Sequence, residues 1–113
     1  MPVTMYHNPR CNTSRRTLAL LREKGVEPTI IEYLKTPYTA AQLKRLLGQL
    51  KMSARMLVRK KEAAAAGVDP AALSEEALIE AMAKNPIIVE RPIVVSGQKA
   101  ALGRPPEAVL SVL

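Results

Sequence analysis

Apolar residues along the chain recur with two different periods, and the places where one gives way to the other mark out its elements. Val3-Thr4-Met5-Tyr6 alternates as a short strand. The run from Asn12 to Lys24, carrying Leu18, Leu20 and Leu21, reads as a helix closed by Gly25. Thr29-Ile30-Ile31-Glu32-Tyr33-Leu34 predicts a second strand, and two short strands joined through a helix pair in parallel by a right-handed crossover. Thr39 and Gln42 form a capping box, with Tyr38 placed to staple onto Leu43. Leu43, Leu46, Leu47 and Leu50 then repeat at i, i+3, i+4, i+7, the apolar face of an amphipathic helix. Ser53 is a candidate cap for a short helix through Met56 and Leu57, and Ala63-Ala64-Ala65-Ala66-Gly67 reads as a helix end and connector. Ser74 caps a helix with Leu78, Ile79 and Met82 that Asn85-Pro86 stops. Strand character returns in Pro92-Ile93-Val94-Val95-Ser96, which a Gly97-Gln98 turn joins to Lys99-Ala100-Ala101-Leu102 as a hairpin. A last helix with Val109, Leu110 and Leu113 follows Pro105-Pro106. The order is β-α-β, a helical block, then β-β-α, so the fold class is α/β.

At 113 residues the chain reads as one domain with a modest core. No apolar run approaches the ~18 residues of a membrane span, and no basic segment leads into an apolar one at the start. One cysteine excludes an internal disulfide and fits a reducing, cytoplasmic setting. The net charge of +7 is uneven: residues 1–61 hold 13 Lys and Arg against 3 acidic residues, the remainder 4 against 7. A basic half can meet nucleic acid, an anionic protein or a small oxyanion, or be a solvated face. With no Phe or Trp and only three Tyr there is no platform for stacking bases, so nucleic acid is disfavoured.

The cysteine, Cys11, falls where the first strand hands over to the first helix, in Tyr6-His7-Asn8-Pro9-Arg10-Cys11-Asn12-Thr13-Ser14-Arg15-Arg16. Unpaired backbone N–H groups and the positive end of the helix dipole favour an anion there. A free thiol of pKa about 8.5 is only ~3% ionised at pH 7; lowering it by roughly two units takes about 2.7 kcal/mol. Arg10, Arg15 and Arg16 reinforce the site. A phosphatase-type loop needs an Arg where Thr17 stands, and a thioredoxin-type dithiol needs a Cys where Ser14 stands. What remains is a monothiol Cys-x-x-Ser, in which the Ser14 hydroxyl can donate to the sulfur without resolving a disulfide. His7 either lowers the thiol pKa as a cation, orients the site when neutral, or holds a purely structural hydrogen bond. One Cys and one His do not make a metal-ligand set. Arg91 and Arg104 each precede a proline and so sit on stiff, extended backbone, while Arg59 lies near a helix end. Guanidinium forks grip tetrahedral oxyanions, but spacing alone does not bring these three to Cys11.

Tyr-His-Asn-Pro-x-Cys-x-x-Ser-Arg at 6–15, Leu-Val-Arg-Lys at 57–60, Arg-Pro-Ile-Val-Val at 91–95 and Gly-Arg-Pro-Pro-Glu at 103–107 occur in one order. In these motifs the chain resembles the glutaredoxin-dependent arsenate reductase family over essentially its whole length. The resemblance implies a thioredoxin-like fold, with a mixed sheet, flanking helices and a helical insertion at roughly residues 39–86. It implies that Cys11 is the nucleophile, that His7 and Ser14 stabilise its thiolate, and that Arg59, Arg91 and Arg104 bind the oxyanion. It also implies a cis peptide between Arg91 and Pro92. The expected reaction is reduction of arsenate to arsenite through a covalent thiol–arsenate intermediate, with glutathione as co-substrate and glutaredoxin as partner. No bound cofactor or metal and no membrane partner is expected, and the protein is expected to be a cytoplasmic monomer. Asn12 departs from the Gly often found after the family's cysteine. Two other readings stand beside this one: a monothiol, glutathione-dependent thiol-transfer enzyme, and a non-enzymatic regulator that binds RNA polymerase.

Overall fold

A computed structural model describes residues 2–113. Eleven elements follow in order: β1 (Val3–His7), α1 (Asn12–Glu23), β2 (Thr29–Glu32), α2 (Ala40–Leu50), α3 (Ala54–Leu57), α4 (Lys60–Ala65), α5 (Glu75–Lys84), a 3-10 turn (Pro86–Ile88), β3 (Ile93–Ser96), β4 (Lys99–Leu102) and a 3-10 helix (Pro106–Val112). They divide between two compact units, one formed by the segment through Thr36 together with Arg91–Leu113, the other by Pro37–Glu90.

The first unit is a four-stranded sheet in the order β2-β1-β3-β4. The expected parallel pair is present, with Met5 opposite Ile30 and His7 opposite Glu32. β3 runs antiparallel to β1, placing Ile93 opposite Tyr6, and β4 completes the hairpin. This is the mixed sheet of a thioredoxin-like α/β fold. Val3 and Met5 of β1, Val94 of β3 and Leu21 of α1 are buried with Val109, and Leu18, Val26, Ala101 and Val112 pack around them. α1 ends as its sequence predicts. Gly25 takes φ +79°, its N–H donates to the Arg22 carbonyl at 3.0 Å, and the Val26 N–H reaches the Leu21 carbonyl at 2.9 Å. That pair of bonds is a Schellman close.

Two expectations are corrected here. β2 stops at Glu32 because the Lys35 and Thr36 N–H groups turn back onto the Glu32 carbonyl at 3.0 and 2.9 Å, which takes Tyr33 and Leu34 out of the strand. The last element is 3-10 and not α-helical. Three residues per turn set Val109 and Val112 on one side, where both meet the core, whereas Leu110 and Leu113 are exposed.

In the second unit α2 starts at the expected capping box: Thr39 Oγ1 accepts from the Gln42 N–H at 3.0 Å, and Gln42 Oε1 from the Thr39 N–H at 2.9 Å. Leu43, Leu46, Leu47 and Leu50 are its buried face, and Leu78, Ile79 and Met82 are that of α5. Ser74 caps α5 through a bond from the Ala77 N–H at 3.1 Å. Ser53 precedes α3 without a side-chain cap; the Glu75 carboxylate accepts from the Ala54 N–H instead, at 2.9 Å. Among the described residues no helix is long and apolar enough to cross a membrane.

α2 closes on Lys51, a non-glycine residue at φ 58°, ψ 44°. A left-handed L-residue costs roughly 1–2 kcal/mol, part of which glycine returns through the entropy of its unfolded chain. Lys51→Gly is therefore expected to raise the unfolding free energy by about 0.5–1 kcal/mol, read by chemical denaturation.

Candidate active site

The site grows from the loop between β1 and α1. Asn8 is buried and folds this loop onto itself: its side-chain Oδ1 accepts from the Arg10 N–H at 3.0 Å, and its carbonyl accepts from the Cys11 N–H at 3.0 Å. Cys11 thereby becomes the N-cap of α1 in extended geometry (φ −93°, ψ 123°), and its carbonyl takes the first helical bond, from the Arg15 N–H at 3.0 Å. The sulfur is left beside the open N–H groups of the first turn. Burial works against a charged sulfur there. The Ser14 N–H, the Arg91 guanidinium by hydrogen bond and by charge, and the Thr13 N–H outweigh it, so the thiol pKa is held below its ordinary value.

Ser14 acts otherwise than its sequence position suggests. The residue is fully buried, and its hydroxyl oxygen accepts from the Asn8 N–H at 3.1 Å and shares a 2.6 Å hydrogen bond with His7 Nδ1. The hydroxyl ties strand end to helix, and the bond to sulfur comes from the Ser14 main chain. His7 is buried as well, and burial is the leading cause that lowers its pKa; the Glu32 carboxylate opposes this, and the Arg22 and Arg15 charges add to it. The ring is thus favoured in its neutral form, which suits an orienting role and not a cationic one.

Of the basic residues near Cys11, Arg15 is turned to the loop itself, bonding the Pro9 carbonyl at 2.8 Å and the Asn12 side-chain oxygen. The cations that reach the sulfur are distant in sequence. Arg91 bonds it, and Arg104 Nη2 lies 3.9 Å from Cys11 Sγ, while Arg104 Nε donates to the Arg91 carbonyl at 2.9 Å. Both arginines precede cis-prolines: the Arg91–Pro92 cis bond is the expected one, and Arg104–Pro105 is a second.

The fold therefore gathers Cys11, His7, Ser14, Arg91 and Arg104 within the first unit. Arg59 belongs to the second. Its N–H donates to the Ile88 carbonyl at 2.6 Å and the Glu90 N–H to the Leu57 carbonyl at 2.8 Å, around a bridge between Val58 and Val89. The guanidinium pairs with Glu62 at 3.0 Å and with Glu90 at 2.6 Å. Burial disfavours its charge, but the Glu62 and Glu90 carboxylates raise its pKa. Among the described residues no group of three or more His, Cys, Asp or Glu side chains is placed to hold a metal ion. Sequence reasoning missed Asn8, although Asn-Pro is a turn signal, and the carboxylate partners of Arg59, although Glu62 stands at i+3.

A nucleophilic sulfur flanked by two guanidinium groups can attack an electrophile that is itself an anion, since the cations offset the charge that gathers there. Comparisons with known proteins bear on which anion. The model of the ArsC family matches residues 6–112. The uncharacterized protein YfgD of Escherichia coli (strain K12) is 55% identical, over 98% of this chain and 96% of its own. An arsenate reductase of Rhizobium meliloti (strain 1021) is 43% identical, over 100% of this chain and 82% of its own. A solved arsenate reductase from Vibrio cholerae superposes with a TM-score of 0.91 at 46% identity, covering 100% of this chain and 98% of the other.

Two outcomes follow from this geometry. Alkylation of Cys11 by iodoacetamide should be half-maximal below the pH of an ordinary thiol. Arg91→Ala should raise that midpoint, and Ser14→Ala should raise it less, because the backbone N–H remains. His7, the one histidine of the chain, gives the second. The unfolded ring titrates near 6.5 and the folded ring lower, so between the two values the unfolded chain holds more protons. Unfolding free energy should fall as pH drops below about 6.5 and level off beneath the folded value, and His7→Gln should abolish that loss in a pH series of denaturant melts.

Proposed function

The chain belongs to the ArsC family, and on that footing we propose that it reduces arsenate to arsenite with Cys11 as the attacking nucleophile. The observation that carries this reading is the sulfur's setting: a thiol of lowered pKa at a helix N-terminus, bonded by Arg91 and 3.9 Å from Arg104. Arsenate is a tetrahedral oxyanion, and planar guanidinium groups bind such anions through paired N–H donors.

In the proposed reaction arsenate docks on Arg91 and Arg104, with Arg59 as the third guanidinium that the family resemblance supplies. The Cys11 thiolate attacks arsenic, an As–O bond breaks, and water or hydroxide leaves, giving a cysteinyl arsenate ester. His7 and Ser14 hold the loop in the shape that keeps the sulfur ionised. Going from arsenic(V) to arsenic(III) takes two electrons, which two thiols provide by pairing as a disulfide. Cys11 is the one thiol in the sequence, so the second comes from glutathione, whose sulfur joins that of Cys11 as arsenite departs. Glutaredoxin then reduces the mixed disulfide and returns Cys11 to the thiolate. A thiol that must be restored after each turnover suits a reducing compartment such as the cytoplasm.

Arsenate-dependent NADPH oxidation in the presence of glutathione, glutaredoxin and glutathione reductase tests the reading. The wild-type chain should support it and Cys11→Ser should not; no arsenate-dependent rate in the wild type would sink the proposal. Turnover of a glutathione mixed disulfide without arsenate would favour the thiol-transfer reading instead. Arg59→Ala should lower kcat/KM for arsenate by about 10-fold or more, the size of a lost charge-assisted bond, while Cys11 alkylation stays within about twofold. Equal losses in both would assign Arg59 to the thiol and not to the oxyanion.

A further inference from the structure

Where α1, the start of β3 and the end of β4 meet, there is space for a hydrogen atom and nothing larger. Gly103 is buried at this point. A β-carbon added to it would lie 2.7 Å from Pro92 Cγ, 2.7 Å from Thr17 Oγ1 and 3.2 Å from Pro92 Cδ. Ordinary carbon contacts fall near 3.5–4.0 Å, so a methyl group would have to part its neighbours by about 1 Å. Neither neighbour is the loose end of a flexible chain. Pro92 is a ring fused to the backbone, and Thr17 is fully buried with its hydroxyl donating to the Thr13 carbonyl at 2.8 Å. The requirement for glycine here is one of space.

Each neighbour carries a piece of the site. Thr17 lies on the helix whose first turn presents the Thr13 and Ser14 N–H groups to the sulfur. Pro92 directly follows Arg91. The Gly103 N–H donates to the Pro92 carbonyl at 2.9 Å, and Arg104 Nε donates to the Arg91 carbonyl at 2.9 Å, so residues 103–104 are stitched to 91–92 by two bonds. We propose that Gly103 is a positioning residue: by lacking a side chain it sets the distance between α1 and the Arg91–Pro92 segment, and so holds the Arg91 guanidinium against the Cys11 sulfur. The assignment rests on Cys11 being the nucleophile, but not on arsenate being what it attacks.

The pH dependence of Cys11 alkylation by iodoacetamide tests this without any oxyanion, so its failure is separable from failure of the reductase reading. In folded Gly103→Ala the midpoint should rise by about half a unit or more, and alkylation on the acid side of it should slow by about threefold. A glycine that serves packing alone would lower the melting temperature and leave the midpoint where it was; that result overturns the proposal. Should Gly103→Ala melt too low to be read, the pair Thr17→Ala/Gly103→Ala leaves Pro92 as the obstruction. A smaller rise is expected there, and an unshifted midpoint again overturns the assignment.

Discussion

The antiparallel register between β1 and β3 is the constraint on which the site depends. Tyr6 sits opposite Ile93, so the chain running on from Tyr6 toward Cys11 lies beside the chain running back from Ile93 to Arg91. Residues some eighty positions apart become neighbours by one ladder of hydrogen bonds. A slip of two residues would displace Arg91 by about 7 Å along the strand, beyond the reach of any direct contact with the sulfur. A slip of one would turn Val94 from the core to the opposite face. Val3, Met5 and Val94 are buried together on one face and Ile93 on the other, and the register that pairs them carries with it the placement of a guanidinium.

Within that frame the thiolate is a contest between burial and donors, and no single donor settles it. Two backbone N–H groups come from the start of α1, and a cation arrives from a different part of the sheet. The arginines are also unlike one another. Arg91 and Arg104 are engaged with the sulfur and with each other's segment, whereas Arg59 is held by two carboxylates on its own unit. A guanidinium held by Glu62 and Glu90 is stiff and fully charged but partly offset, so an oxyanion that reached it would share it with those carboxylates.

Local chemistry was legible in the sequence, and long-range geometry was not. The capping box at Thr39, the glycine close after α1, the Ser74 cap and the strand-to-helix setting of Cys11 each follow from a few adjacent residues. The approach of Arg91 and Arg104 to Cys11 depends on sheet register, which no local spacing encodes, and it entered only through family motifs. Side-chain direction was the other blind spot. Ser53 looked like a cap and is replaced in that task by Glu75, 22 positions on, because a carboxylate from α5 reaches the same N–H. The final helix was read from Val109, Leu110 and Leu113, but 3-10 winding brings Val112 beside Val109 at the core and leaves Leu110 and Leu113 exposed.

The buried hydroxyl of Ser14 bears on what this loop could become. A thioredoxin-like dithiol differs from the present sequence by one atom at that position, sulfur for oxygen. Here the oxygen is already spoken for: it receives the Asn8 N–H and meets the His7 ring, and sulfur is a poor substitute in both bonds. A second thiol introduced there would loosen the segment that presents the first. The chain is thus separated from a self-contained dithiol cycle by more than a single replacement, since the loop around Cys11 would have to be rebuilt along with it.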